Sequence, residues 1–565
     1  MVHPRSIYTV FATVLLVLAC GKDGTGVDVP PTISAVSPNE GTVGTELTIT
    51  GTGFQAGAQV LVGALVSTTV EVSGSTQIFA TVPSGVTTAM SYDVTVRNND
   101  GGEVVQTAAF TPVAPFLQFV NSATKPSGNT GSTIIVEGDA FGDAQGTGQI
   151  LFSDGAGGTV AATIAGVDDW TNTFIVTTVP SSAATGPILV ETGTGQSVSL
   201  TFTVTQNAVF SPSSIAWGQT QDLPNAMSGH DALSVPIDDA GGNTVQYVFV
   251  TGGAGNDEVP MTAIYSSPIQ TDGTISGWND LGDLGAGRAF HTSVAATPFN
   301  SKTSGSGFLF VIGGVDDTGQ PTATVTQVTL NNDGTIGSQV AAPALPVPLH
   351  STGAVLFRSS IYVVGGATTG DVPVSTVYRA QLDTLGTLGA WEEVTNGLPS
   401  ARAYHSTRTF GGYIYTAGGE TGTVPIGEAN FTNNATKLGE VIYSRIDLRT
   451  GEVGSWTVNA SEMQKSRSKH SMLVAGGNMF VSAGLYAGGG SGSSENISAQ
   501  INSDGTVGSF GGATGSNTLR SLGGVNLFNH AAIGYVDAAG VAHVMVLGGD
   551  DLNNPGSKQS RVMFY

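Results

Sequence analysis

The chain has 565 residues, enough for several hydrophobic cores, with 80 glycines, an aromatic fraction of 7% and a charged fraction of only 11%. So few long charged helix formers exclude a helical bundle or coiled coil and favour strands joined by turns. A formal net charge of -23 repels phosphate backbones and anionic membrane surfaces unless a basic patch intervenes, and between Gly21 and Gln206 the strong cations are only Lys22, Arg97 and Lys125.

Residues 1–20 have the grammar of a secretion signal: Arg5, then an apolar run from Val10 to Leu18 that is too short for a membrane span of about 20 residues. The ending Val17-Leu18-Ala19-Cys20-Gly21 resembles the lipobox of bacterial lipoproteins, which implies cleavage before Cys20 and lipid attachment to it. An ordinary signal peptide with an incidental cysteine is the alternative. Cys20 is the single cysteine of the chain, a placement that suits an anchor better than redox or metal chemistry. The expected location is the bacterial cell envelope, exported and lipid-anchored, at the outer membrane or cell surface, with residues 21–30 as a polar linker.

Next come alternating apolar positions punctuated by Pro and Gly: Pro31-Thr32-Ile33-Ser34-Ala35-Val36-Ser37-Pro38, then Gly41, Gly44 and Leu47-Thr48-Ile49-Thr50-Gly51-Thr52-Gly53-Phe54. Residues 31–113 resemble an IPT/TIG domain, which implies an immunoglobulin-like sandwich. A less regular second copy spans 114–205, carried by Ile134-Ile135-Val136-Glu137-Gly138, Trp170 and Gly186-Pro187-Ile188-Leu189-Val190. Two such sandwiches joined end to end make a rod-like stalk. Ser153-Asp154-Gly155 shares a fragment of the sialidase Asp-box, but the remaining spacing fails and the run reads as a hairpin turn.

From about Val209 the period changes to roughly 50 to 65 residues, that of a propeller blade. Apolar runs end in glycine pairs at Gly252-Gly253, Gly313-Gly314, Gly365-Gly366, Gly418-Gly419 and Gly548-Gly549, with a degenerate copy at Ala483-Gly484. Upstream of each lies one of six histidines, His230, His291, His350, His405, His470 and His530, out of eight in the chain. Asp-Gly hairpin turns recur at Asp272-Gly273, Asp333-Gly334 and Asp504-Gly505. Trp278, Trp391 and Trp456 follow in the fourth strand, and Trp217 precedes the first unit. Glycine pair, tyrosine and tryptophan together resemble the kelch repeat over residues 208–565. The resemblance implies a six-bladed β-propeller whose aromatics pack between blades. The expected fold is thus all-β: two immunoglobulin-like (IPT/TIG) β-sandwiches followed by a six-bladed kelch-type propeller. Arg561-Val562-Met563-Phe564-Tyr565 supplies a third strand without a fourth, and the segment from Ser214 to Gln219 is expected to complete that sheet and latch the ring.

For a ligand site, three histidines carry an arginine three residues earlier, at Arg288, Arg402 and Arg467. These arginines and the six histidines are the candidate ligand-binding set; near the channel mouth they would favour an anion or a metal. The competing reading is structural, because a functional site normally breaks symmetry and this pattern repeats in every unit. No resident cofactor or metal is expected. Calcium is the metal candidate, at Asp316, Asp317, Asp550 and Asp551, although a solvated acidic rim accounts for the same residues and no EF-hand spacing is present. A copper site like that of galactose oxidase needs a cysteine cross-linked to tyrosine, and the lone Cys20 rules it out. No nucleophile elbow, zinc-binding helix or phosphate loop is visible. The expected function is non-catalytic recognition of a polysaccharide or protein partner at the cell surface, without nucleic acid. The alternatives are a carbohydrate-active enzyme (epimerase, lyase or oxidase-like) with a pocket at the channel mouth, or a structural component of an envelope assembly.

Overall fold

The computed structural model describes residues 30–88, 90–121, 126–164, 166, 169–205, 217–239, 243–296, 307–383, 385–426, 436–448, 450–475, 477–487, 492–502, 504–512, 526–537, 541–554 and 556–565. Cys20, the signal segment and most of the linker lie outside them. The described residues hold strands and turns and no α-helix. Two compact units are present. One contains Glu46–Thr81 and Tyr92–Phe110 together with the strand Thr32–Ser37; the other runs from Thr111 to Tyr565 and includes Glu40–Thr45 and Val82–Ser91.

In the N-terminal sandwich, one sheet takes the order Thr32–Ser37, Glu46–Thr52, Gln77–Thr81, Val70–Ser73. The other is built around Tyr92–Arg97, flanked by Gln59–Val62 and Glu103–Pro112. Period-two burial of Leu47 and Ile49, of Ile78 and Ala80, and of Val60 and Val62 gives each strand one core face. At Gly51 the backbone of Thr32 passes so close that a Cβ would lie 1.8 Å from its carbonyl oxygen, which requires glycine there.

A second sandwich follows the same plan. Thr133–Asp139 lies between Phe116–Val120 and Phe174–Thr178, facing a sheet that contains Gln149–Ser153, Gly186–Thr192 and Leu200–Thr205. Its core centres on the fully buried Trp170, whose indole N–H donates to the Phe141 carbonyl at 3.1 Å. Asp154 closes the hairpin after Gln149–Ser153 by accepting the N–H groups of Ala156 and Gly158, both at 2.8 Å, as a turn residue does. This sandwich is not a free stalk segment. Arg358, from a hairpin of the region that follows, pairs with the buried Glu137 at 3.0 Å and lies 4.9 Å over the ring of Phe174.

Among the described residues, 217–565 form six main antiparallel sheets, five of them with a core of four strands in chain order, and two small two-stranded sheets, Ala367–Thr368 with Val372–Pro373 and Glu420–Thr421 with Thr436–Lys437. Their first strands are Asp231–Asp238, Thr292–Ala296, Gly353–Phe357, Ser406–Phe410, Ser471–Ala475 and Ala531–Val536. Short strands at Arg467–Ser468, Leu527–Phe528 and Asp550–Asp551 extend the fifth sheet. The sixth is completed by the distant strand Gly218–Gln219, with Gly218 opposite Phe564 and Gln219 opposite Met563, so the two ends of this region are joined. Apolar clusters link each sheet with the next: Val294, Phe310 and Ile361 between the second and third, for example, and Val250, Met545 and Val562 between the first and sixth.

First strands touch in the order one to six and back to one. Just before each, one residue takes the left-handed conformation at φ between 52° and 60°: Gly229, Phe290, Ser351, Tyr404, Lys469 and Asn529. Each of their N–H groups donates to the carbonyl of its counterpart in the preceding sheet. Phe290 bonds Gly229 at 2.7 Å, Ser351 bonds Phe290 at 2.8 Å, Tyr404 bonds Ser351 and Lys469 bonds Tyr404 at 3.0 Å, Asn529 bonds Lys469 at 2.9 Å, and Gly229 bonds Asn529 at 2.9 Å. The cycle satisfies six backbone donors that no sheet ladder reaches, and so offsets the cost of a left-handed backbone at five non-glycine residues.

Candidate functional site

The repeated residues form clamps between sheets. His291 Nε2 hydrogen-bonds Thr251 Oγ1 at 2.8 Å, His405 Nε2 donates to the Val364 carbonyl at 3.0 Å, and His530 Nε2 hydrogen-bonds Ser482 Oγ at 2.9 Å. Each partner immediately precedes the glycine pair, or its copy Ala483-Gly484, of the preceding sheet. His230 and His470 lie against the carbonyls of Leu547 and Ala417 at the same position, without a well-aligned hydrogen bond to either. The glycines are needed because the histidines pack on them: a Cβ on Gly252 would meet the Arg288 carbonyl at 2.2 Å and the His291 ring at 2.8 Å. Both glycines of each pair have positive φ, and Ala483 holds the same conformation at 53°.

His350 does not belong to this register. In the third sheet Thr352 packs its Cβ on the second glycine, where the other five sheets place a histidine. His350 lies two positions earlier, fully buried, 3.7 Å from Asp371 and 6.2 Å from the Tyr404 ring. Burial holds His230 down at about 4 and His291, His405 and His530 at about 3, with the neighbouring Arg288 and Arg402 charges adding to it at His291 and His405. His350 is held at about 4 by burial and by Lys469, and His470 lies well below its ordinary value. The imidazoles are neutral and enclosed between sheets.

The arginines are enclosed as well. Arg402 donates from Nη1 to the Gly418 carbonyl at 3.3 Å and pairs with Glu440; Arg467 donates from Nη1 to the Ala483 carbonyl at 3.1 Å and lies 5.1 Å from the Tyr486 ring. Arg288 donates to the Gly287 carbonyl at 2.9 Å. Indole N–H groups reach across to the preceding unit, from Trp278 to Gln221, Trp391 to Pro343 and Trp456 to Asn396. Trp217 is buried in the cluster joining the fifth and sixth sheets.

Charge appears where the repeat is broken. The residue after each glycine pair is Ala254, Val315 and Ala367 in the first three sheets, then Glu420, Leu485 and Asp550. Glu420 and Asp550 are both 1% exposed. Lys469, one of the six cycle residues, lies between their fields with its ammonium 4.5 Å over the Tyr404 ring. Burial lowers its pKa, and Glu420 and Asp550 act against that shift. Asn529 donates to Asp550 Oδ2 at 2.8 Å, Lys558 reaches Asp550 at 3.4 Å and Glu258 at 2.5 Å, and Ser468 donates to Glu420. On the opposite side Ala254, Ala289, Phe290, Val315 and Ala367 form an apolar cluster with Tyr404, closed by the fully buried Val424. The segment after Glu420 thus folds inward: Val424 donates to the Asp371 carbonyl at 3.0 Å and the Tyr404 hydroxyl to the Pro425 carbonyl at 3.1 Å. Lys469 and Tyr404 are residues that a search for repeats passes over. Comparing the neighbours of each histidine and glycine pair across the units would have found them.

The calcium candidates make local bonds. Asp316 accepts from Thr318 N–H at 2.9 Å, Asp317 from Gly287 N–H at 2.8 Å and Asp551 from Asn553 N–H at 3.0 Å. Among the described residues no group of three or more His, Cys, Asp or Glu side chains is arranged to hold a metal.

Residues 31–112 match the family model of the IPT/TIG domain, so the first sandwich is an IPT/TIG domain of immunoglobulin-like fold. No curated protein matches the chain.

Proposed function

We propose that the chain is an exported, lipid-anchored cell-surface protein whose six sheets are the blades of a kelch-type propeller, and that this propeller recognises a polysaccharide or protein partner at its axial mouth. The cycle of six main-chain hydrogen bonds carries the reading of the architecture: it returns to its starting residue through six sheets, a connectivity suited to a ring with no open edge. Support for recognition comes from the contrast around that cycle. Structural positions repeat, while Glu420, Lys469, Asn529 and Asp550 differ from their counterparts and gather at one place. The carboxylates, ammonium and amide of this buried cluster lie beside the rings of Tyr404 and Phe290, a pairing of polar groups with apolar faces that would match a sugar, which combines hydroxyl groups with apolar C–H faces.

The test is a glycan array probed with the full chain, with and without calcium, and repeated with Lys469→Met and Glu420→Gln. Saturable binding that both substitutions weaken supports the reading. Silence in all conditions moves the partner to the protein class. The anchor is tested separately by metabolic lipid labelling, which Cys20→Ala is expected to abolish. A second reading, a carbohydrate-active enzyme, draws on one observation: a buried lysine of lowered pKa beside Tyr404 is the kind of perturbed group that catalysis uses. Turnover of an array hit that is lost in Lys469→Met would favour it.

A further inference from the structure

Two positions of the first strand break the repeat in a second place. Three residues after the clamp position stand Leu233, Val294, Val355, Leu473 and Ile533 in five sheets, and Arg408 in the fourth. One residue after it stand Thr292, Gly353, Ser406, Ser471 and Ala531, and Asp231 in the first sheet. All six residues of the first of these positions, with Asp231 and Thr292 of the second, line a cavity of about 340 Å3 to which all six first strands contribute. We propose that this cavity binds a small carboxylate with a short apolar body, and that Arg408 holds its carboxylate.

Arg408 has donors to spare. Its hydrogen bonding among the described residues is one bond, from Nη1 to the Thr407 carbonyl at 2.7 Å. A guanidinium has five N–H donors in a planar fork that matches a carboxylate, so its bidentate edge is uncommitted. The acid of the cavity does not fill that role. Asp231 Oδ2 accepts the Ser293 N–H at 2.6 Å and Oδ1 the Ala232 N–H at 2.8 Å, and it attracts Arg408 across the space without an ion pair. Protein surrounds both groups, although each keeps part of its surface open to the cavity. An enclosed cation without a bonded anion is costly, and a ligand carboxylate would relieve that cost. The rest of the lining is aliphatic or small, which favours an apolar body over a polyol, and the volume lies near the lower end of small-molecule sites, about 300–1,000 Å3. This site is distinct from the mouth cluster and shares no residue with it, so either assignment can fail alone.

The experiment is isothermal titration of the full chain with sodium butyrate, against sodium chloride and sodium sulfate at equal ionic strength. Butyrate is expected to bind at one site per chain. Arg408→Met, which keeps the length and removes the charge, is expected to weaken it by about tenfold or more, the loss of one charge-assisted contact. Asp231→Asn is expected to tighten it by removing the repelling charge. Butyrate heats no larger than those of chloride, equal affinity in Arg408→Met, or sulfate binding as tight as butyrate overturns the proposal. Should Arg408→Met fail to fold by circular dichroism, a crystal structure of the unaltered protein grown in butyrate decides: density at the guanidinium supports the site, and an empty cavity overturns it.

Discussion

Along the cycle of main-chain hydrogen bonds, sheets one to three and sheets four to six use the same backbone for opposite chemistry. After the glycine pair the first three present Ala254, Val315 and Ala367, closed over by Val424; the others present Glu420, Leu485 and Asp550 beside Lys469. The clamp position, histidine in five sheets and Thr352 in the third, and the left-handed cycle residues run through both halves. The residues that recur therefore hold the sheets together, and the positions next to them are free to differ because the clamp already fixes the backbone. A ligand site is to be sought in those differences.

The largest expected effect tests the common part. His230, His291, His405 and His530 are held at about 3 to 4 when folded, against 6.5 for a free histidine. The unfolded chain thus binds more protons as pH falls below about 6.5, so stability is full above that value and drops toward pH 4. Summed over the four, the loss between pH 7 and 4.5 should exceed about 5 kcal/mol. A melting temperature that stays flat over that range would contradict neutral, enclosed clamps. Next in size, deleting residues 561–565 removes the buried Val562 and Met563 and uncovers Gly218–Gln219, at a cost of about 3–6 kcal/mol; an unchanged melting temperature would sink the latch. Gly252→Ala should cost about 3 kcal/mol, because its Cβ meets the Arg288 carbonyl. Gly285→Ala, at φ +79 with nothing within 4 Å, should cost about 1 kcal/mol. Equal melting shifts in the two variants would remove the close-packing role of the pairs. The smallest effect on stability, within about 1 kcal/mol, is expected for Lys469→Met, because the buried Glu420 and Asp550 keep Lys437 and Lys558 as partners. Its readout is lost partner capture on the array, and a folded variant that still binds would separate the mouth cluster from recognition.

Much of the fold was legible because glycine leaves a plain mark. Wherever two left-handed residues are needed beneath a histidine ring, the sequence has little choice, and the pairs from Gly252 to Gly549 record it. Identity misled at His350, where the spacing to Gly365 tolerated a shift of two residues and Thr352 occupies the clamp position without resembling it. The arginines were visible but their direction was not: whether Arg402 turns outward or toward the Gly418 carbonyl is decided by packing, which leaves no periodic trace. Arg408 and Lys469 were unreadable singly. Each becomes informative only once the strands are aligned and five counterparts lack its charge.

The pairing of Gly218–Gln219 with Val562–Phe564 also sets an order of events. A chain threaded out from its N-terminal end presents the short strand long before its partner exists, and the intervening sheets must form while that edge waits. The loop closed by this pairing is the longest in the region, and its entropy is met only at the end, which makes closure a late, slow step. Until then the waiting edge is open to strands of other molecules, so a helper that shields it during folding would act on Gly218–Gln219 first.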